Sequence, residues 1–392
     1  MPQTSPSSKP GATAATFALV ALVVAIVAGG FWWAQQGDDA ASDVADAAST
    51  DVAGGATRGA SDGGSGGDAG GPGDGGPGDG SDADPGLGDA AEEIAAQDFP
   101  DDPRVVVVSV DGLGSLWVTQ STTPTLADLL AQGAGTLNAR TEVEKTVTLP
   151  NHTGMVTGLR VKAAAGGHGV TWNHTSSRSV APGTSSVFSA IAEDGGSSGV
   201  FVGKEKFEMW GRAWPGTIDD LDIHSRQSAV VRTAIEDLRE DDHDLVFVHL
   251  AGPDSAGHDS GWGSDPYLDA VARADADIDR LVSSIVGDPE LSREVVVIVT
   301  ADHGGMPGTT EHLDRDRPEN YTIPFLVWGP GITPGDLYAL NPDYRDPGDG
   351  RPGYAGPQPV RNGDVANLVT DLLGLDPVPG SEFDAGHELD VD

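Results

Sequence analysis

The chain has 392 residues, and its 61 acidic side chains against 22 lysines and arginines give a formal charge of −39. Such a surface repels polyanions, which excludes nucleic acid as a partner and means that any anionic ligand needs a local positive feature. With no cysteine, disulfides, thiolate metal ligands and cysteine nucleophiles are excluded as well. Residues 1–13 form a polar N-terminus that the charge bias keeps in the cytoplasm. Residues 14–34 follow without a charge and end in Phe31, Trp32 and Trp33. A stretch of about 21 residues at about 1.5 Å each crosses a hydrocarbon core of about 30 Å, so it reads as a single-pass membrane anchor. Lys9 before it and an acidic tract behind it direct the remainder of the chain out of the cytoplasm. The alternative is a cleaved signal segment, whose apolar region is usually about 7–15 residues. In both readings the body is extracytoplasmic. Residues 35–100 are Gly, Asp, Ala and Ser with scattered Pro, a composition that cannot bury a core and reads as a disordered acidic linker.

From residue 101 to 392 the texture is that of a folded domain. Arg104 to Val110 and the runs SGVFVG, DLVFVHL, EVVVIVT and IPFLVWG are short, apolar and rich in β-branched residues, as strands buried on both faces are. Helical patterns lie between them at Thr125 to Gln132, Arg226 to Glu240, Pro266 to Ile285 and Gly363 to Leu373. This alternation predicts an α/β fold with a mostly parallel central sheet covered by helices on both faces. In open sheets of that kind, chemistry gathers at the carboxyl ends of the strands.

Polar residues do follow the apolar runs. Asp111 closes the first, Asp254 and His258 come just after VFVHLAG, and Asp302 and His303 follow VVVIVTA. One Asp after a strand is an ordinary turn former or helix cap, but three carboxylates with two histidines suggest a metal site for Zn²⁺ or a similar ion. The Asp254 to His258 spacing suits ligands one helical turn apart. Thr148 stands before Leu149 and Pro150, and Pro favours a first helical turn. A hydroxyl there meets the positive end of the helix dipole, a seat for phosphate. Taken alone, Thr148 reads as a helix cap rather than a nucleophile, and Thr146 is a rival nucleophile. His249, on an apolar run, reads as a core histidine; His174, His224 and His243 carry no signal.

The motifs DG, TLPNHTGMVTG, GHGVTWN, GKEKF, PDSAGH, TADHGG and a His before PENYTIPFLVWGPG occur in an order that resembles the alkaline phosphatase superfamily. The resemblance is to its branch of type I phosphodiesterases and nucleotide pyrophosphatases, and in motifs to threonine-type alkaline phosphatases. It implies an alkaline-phosphatase-like sandwich holding two divalent ions, expected to be Zn²⁺. Asp111, Asp302 and His303 would hold one ion together with the nucleophile Thr148. Asp254 and His258 would hold the other with a third histidine, for which His312 is preferred over His387. His152 and His168 would be architectural. Asn173 would donate to a nonbridging phosphoryl oxygen.

Lys204 and Lys206, two apart in extended chain, project to the same side and resemble the paired cations of the monoesterases, a pattern absent from the diesterases. The expected activity is therefore hydrolysis of small phosphate monoesters through a phosphothreonine. Phosphodiester or nucleotide pyrophosphate hydrolysis is the alternative, with phosphonoacetate hydrolysis or a non-catalytic surface module further behind. No protein partner can be inferred.

Overall fold

The computed structural model describes residues 87–383 and 389–391. The anchor expected at 14–34 and the rival ligand His387 lie outside the described residues. Among the described residues, no helix is long and apolar enough to cross a membrane.

Eight strands form one mixed sheet in the order β4-β3-β5-β1-β6-β7-β2-β8. They are β1 (Arg104–Val110), β2 (Ala134–Arg140), β3 (Ser198–Val202), β4 (Asp220–Ile223), β5 (Leu245–Leu250), β6 (Val295–Thr300), β7 (Thr322–Trp328) and β8 (Gly335–Asp336). Every residue of β1, β5 and β6 is buried. Because successive side chains on a strand point to opposite faces, both faces of the sheet centre are covered. These strands are the short apolar, Val-rich runs of the sequence. The parallel expectation holds from β4 to β6, whereas β7 runs antiparallel to β6 and β2 antiparallel to β7. The sequence AGTLNAR of β2 carries no apolar run because two of its central residues are only half-buried, so periodicity alone did not reveal it.

The longer helices are α1 (Leu87–Ala95), α2 (Pro124–Gln132), α3 (Thr148–Thr157), α4 (Val187–Asp194), α5 (Glu208–Ala213), α6 (Gln227–Glu240), α7 (Gly252–Ser260), α8 (Asp265–Val286) and α9 (Val365–Leu372). Among them, α1, α2, α6 and α7 all touch α8, while α3, α4 and α9 touch one another. Helix α8 shows why this sequence folds as it does. Ser264 caps it by accepting the Tyr267 N–H, and Pro266 stands in its first turn. Val271, Ala274, Ile278, Leu281, Val282 and Ile285 then recur three to four residues apart and are all buried. Helix α1 corrects the linker boundary, since part of the 35–100 stretch is folded. Its Ala91 and Ile94 enter the core, and the Gln97 carbonyl accepts the Gly331 N–H.

At the sheet centre, Phe247 is 1 % exposed and meets Trp210 edge-on at 5.3 Å. Phe247→Ala should lower the unfolding free energy by about 3–5 kcal/mol, the usual cost of such a cavity. Denaturant unfolding followed by tryptophan fluorescence checks this.

Candidate active site

The parallel register brings the strand ends together. Ser109 on β1 pairs with Thr300 on β6, so Asp111 and Asp302, each two residues further on, finish level. On the other side Val110 pairs with Leu250 of β5, after which the chain turns into α7 and presents Asp254 and His258 one turn apart. Gly112 permits this crossing. Its φ is +75°, and a Cβ there would lie 2.8 Å from the Asp254 Cα. The Gly112 N–H donates to Asp302 Oδ1 at 3.1 Å, and its carbonyl accepts from Trp262 Nε1 and Tyr267 Oη.

Three histidines are held in one tautomer. Nδ1 of His303 donates to the Gly304 carbonyl, that of His258 to the Thr310 carbonyl and that of His312 to the Thr146 carbonyl. In the neutral imidazole each Nε2 then carries a lone pair. Those of His258 and His312 lie 3.2 Å apart, and the His303 and His312 rings stack at 3.7 Å. Nε2 of His303 faces Asp302 Oδ2 at 3.3 Å, Asp111 Oδ1 at 3.4 Å and Asp254 Oδ1 at 3.7 Å. Asp111 Oδ1, Asp254 Oδ1, Asp302 Oδ2 and His303 Nε2 are all buried without a hydrogen-bond partner. Lone pairs directed at one another and at carboxylate oxygens repel unless a cation lies between them, so this donor set fits divalent metal ions.

At this edge of the sheet, two groups have ligand atoms close enough to share an ion: Asp254, His258 and His312, and Asp111, Asp254 and His303. Asp254 borders both groups rather than one alone. Burial alone would raise the Asp111 carboxyl, but Lys204 and then His249 hold it well below the usual carboxylate range. Burial, Asp111 and Asp254 push Asp302 well above it. Burial, followed by the neighbouring His303, lowers His312 well below the ordinary histidine range.

The nucleophile candidate opens α3. Its N-cap is Val147, which makes no side-chain cap, so Thr148 is the first helical residue rather than the cap. The rival Thr146 hydroxyl donates to the His312 carbonyl at 2.7 Å. Asn173 Oδ1 accepts the Leu149 N–H at 2.9 Å and faces Lys206 Nζ at 3.2 Å. Lys206, 2 % exposed, is thus a buried cation at the start of the Thr148 helix. Lys204 behaves differently from its neighbour. Its ammonium lies 2.9 Å from Asp111 Oδ2 and 2.6 Å from Asp254 Oδ2, so it neutralises the carboxylates themselves.

Further residues support these groups. Nδ1 of His249 accepts the Gly203 N–H, and its Nε2 donates to Asp111 Oδ2 at 2.9 Å. It is satisfied, as expected of a core histidine, but what satisfies it is a candidate metal ligand. His152 links the Thr148 carbonyl to Ser109 Oγ. Trp262 packs edge-on against His258 and His312. A Cβ on Gly305 would come within 2.1 Å of its ring, and one on Gly257 within 2.6 Å. The signal for Trp262 was the glycines at both distant motifs, which mark a bulky ring lying against backbone.

Behind the nucleophile helix, Glu142 accepts from Tyr354 Oη at 2.5 Å, and its Oε1 sits where a Cβ on Gly154 would approach to 2.7 Å. Burial pushes the Glu142 carboxyl up to about 8, against the opposing effects of Tyr354 and Arg361. A folded-state value above the unfolded one of about 4.3 means stability is full below that pH and lost as pH rises toward about 8. Glu142→Gln should therefore gain in melting temperature relative to the parent between pH 5 and pH 8, as measured by a pH series of thermal melts.

Residues 105–354 match the family described as type I phosphodiesterase/nucleotide pyrophosphatase. Among curated proteins, the GPI ethanolamine phosphate transferase 1 of Yarrowia lipolytica is 29 % identical over 158 residues, 40 % of this chain and 17 % of that protein. The 2,3-bisphosphoglycerate-independent phosphoglycerate mutase of Listeria monocytogenes is 28 % identical over 162 residues, 40 % of this chain and 26 % of that protein. The chain thus spans only a minor part of the length of the curated relatives it matches. Among solved structures, murine ectonucleotide pyrophosphatase/phosphodiesterase 5, an inactive threonine-to-alanine variant in complex with AMP, superposes with a TM-score of 0.51 at 16 % identity. That match covers 71 % of this chain and 96 % of the other. A 2-O GAG sulfatase gives 0.52 at 13 % identity, covering 74 % and 76 %. The fold and the site together define a member of the alkaline phosphatase superfamily. Within it, the chain belongs to the type I phosphodiesterase/nucleotide pyrophosphatase family.

Proposed function

We propose that this protein is a two-metal phosphohydrolase that cleaves small phosphate monoesters with Thr148 as nucleophile. The observation that carries the reading is the convergence of buried, unpartnered carboxylate and imidazole atoms beside the helix that Thr148 opens. Asp111, Asp302, His303 and Thr148 would hold one ion, and Asp254, His258 and His312 the other, with Zn²⁺ best suited to this oxygen and nitrogen set. Two such ions supply positive charge to the attacking and leaving oxygens of an in-line displacement.

The chain's own residues do the rest. Thr148 Oγ1 forms a bond to phosphorus as the ester oxygen departs, and water then hydrolyses the phosphothreonine to restore the hydroxyl. Two inversions give net retention at phosphorus. Asn173, its Oδ1 held by Leu149 and Lys206, offers its amide donors to a nonbridging oxygen. Lys206 adds a buried positive charge suited to a dianion. Lys204 compensates the ligand carboxylates and balances charge as substrate enters. His152 braces the first turn of α3 through the Thr148 carbonyl, and Trp262 shields the His258 and His312 imidazoles from water. An anchor at 14–34 would hold the enzyme on the outer side of the cell membrane.

A second reading, phosphodiester or nucleotide pyrophosphate hydrolysis, is favoured by the family's description and by the AMP complex of the murine relative. Its threonine-to-alanine variant is inactive, which supports the role given to Thr148.

The comparison of kcat/KM for p-nitrophenyl phosphate and bis(p-nitrophenyl) phosphate separates the readings. The monoester should be preferred, and a strong bis-ester preference would overturn the first reading in favour of the second. Thr148→Ala should abolish turnover while elemental analysis still finds about two ions per chain. Lys206→Ala should lower monoester kcat by about 10²-fold, the scale of removing one preorganised charge-stabilising donor, with a smaller loss on any diester.

A further inference from the structure

A third group of potential ligands lies at the opposite end of the sheet. Asp220 opens β4, and His243 stands two residues before β5, so both are at the amino ends of parallel strands. Asp237, from α6, completes the group. Asp237 and His243 are each 4 % exposed, and burying both in the interior demands a partner for each.

The geometry is that of an oriented imidazole. Asp237 Oδ1 lies 2.7 Å from His243 Nδ1, which fixes a proton on Nδ1, so in the neutral imidazole the lone pair is on Nε2. Nε2 faces Asp220 Oδ2 at 3.7 Å. Two ligand atoms each about 2.0–2.2 Å from one zinc ion stand at about that separation when their angle is slightly wider than tetrahedral. A carboxylate behind a metal-binding imidazole is the usual supporting arrangement. Asp237 Oδ2 is buried without any hydrogen-bond partner, so the imidazole contact satisfies only one of the two carboxylate oxygens. Gly199 leaves room for the pair, since a Cβ there would approach both Asp237 Oδ1 and His243 Nδ1 to 3.0 Å. Arg104 donates to the His243 and Leu238 carbonyls and faces Asp242.

We propose that Asp220 and His243, with Asp237 orienting the imidazole, bind a divalent ion of the zinc class at the amino edge of the sheet. The site is separate from the candidate active site. Imidazole with carboxylate suits Zn²⁺ rather than Ca²⁺, which takes six to eight oxygens. Strand β4 is the edge of the sheet, and its Asp220 and Asp222 are exposed. The ion would join this short edge to the turn between α6 and β5, stapling the sheet where it has no further strand. Asp219, whose Oδ2 accepts the Ser198 N–H, adds negative charge beside it.

The competing arrangement is a metal-free imidazolium paired with the carboxylates, and zinc titration of the full-length, chelator-stripped chain distinguishes the two. Wild type should bind one ion more than either Asp220→Asn or His243→Gln, and Asp237→Asn should weaken that ion by about 10–100-fold. Ions in the active site are common to all four proteins and cancel in the comparison. Asp220 is exposed, so Asp220→Asn keeps the fold even if a buried variant does not. Zinc should also raise the melting temperature of wild type more than that of Asp220→Asn. Equal stoichiometry and equal affinity in wild type and Asp220→Asn would overturn the proposal and establish the ion pair alone.

Discussion

Three carboxylates, Asp111, Asp254 and Asp302, are buried within contact of the same imidazole, and the structure around them is organised by that constraint. Such charges repel one another and lose hydration, so each must be compensated. Lys204 spans two of them, His249 backs one, and the Gly112 and His303 N–H groups serve the third. These partners leave one inward-facing oxygen of each carboxylate unsatisfied. That residual demand is for cations, and it explains why the three neighbouring histidines turn their lone pairs inward.

The same constraint dictates the backbone. The carboxylates can meet only if β5, β1 and β6 are adjacent and parallel, so that their carboxyl ends open on one edge. They can meet closely only if Gly112 has no side chain, because α7 crosses against it. Trp262 and Tyr267 then close the far side by donating to the Gly112 carbonyl. A glycine, two aromatic donors and a lysine thus serve a site in which none of them is a candidate metal ligand.

The acidic composition makes this local positive character more consequential. In a chain of net charge −39, an anion is repelled at long range and must be captured at short range. Lys206 is buried beside the first turn of α3, and Lys204 is only partly exposed. Scarce cations are placed where dehydration strengthens them, and the positive end of a helix dipole adds to them.

Much was legible in the sequence because it depended on short-range patterns. The continuous Val and Ile runs specified central strands, since only strands covered on both faces dispense with alternation. The Asp, His and Thr candidates were legible because each follows such a strand or opens a helix, where local geometry points side chains to one edge. Other features depend on residues distant in sequence. The pairing of β2 with β7 requires no apolar run, and the N-terminal helix α1 is held by a core made elsewhere. Lys204 contacts Asp111 and Asp254 because β3 lies next to β5. His249 and Trp262 derive their roles from atoms far away in the chain. The sequence by itself determined which residues could do metal-assisted chemistry and on which elements they stand. Only the tertiary structure decided which of them touch, because burial charges each polar atom with finding a partner across the fold.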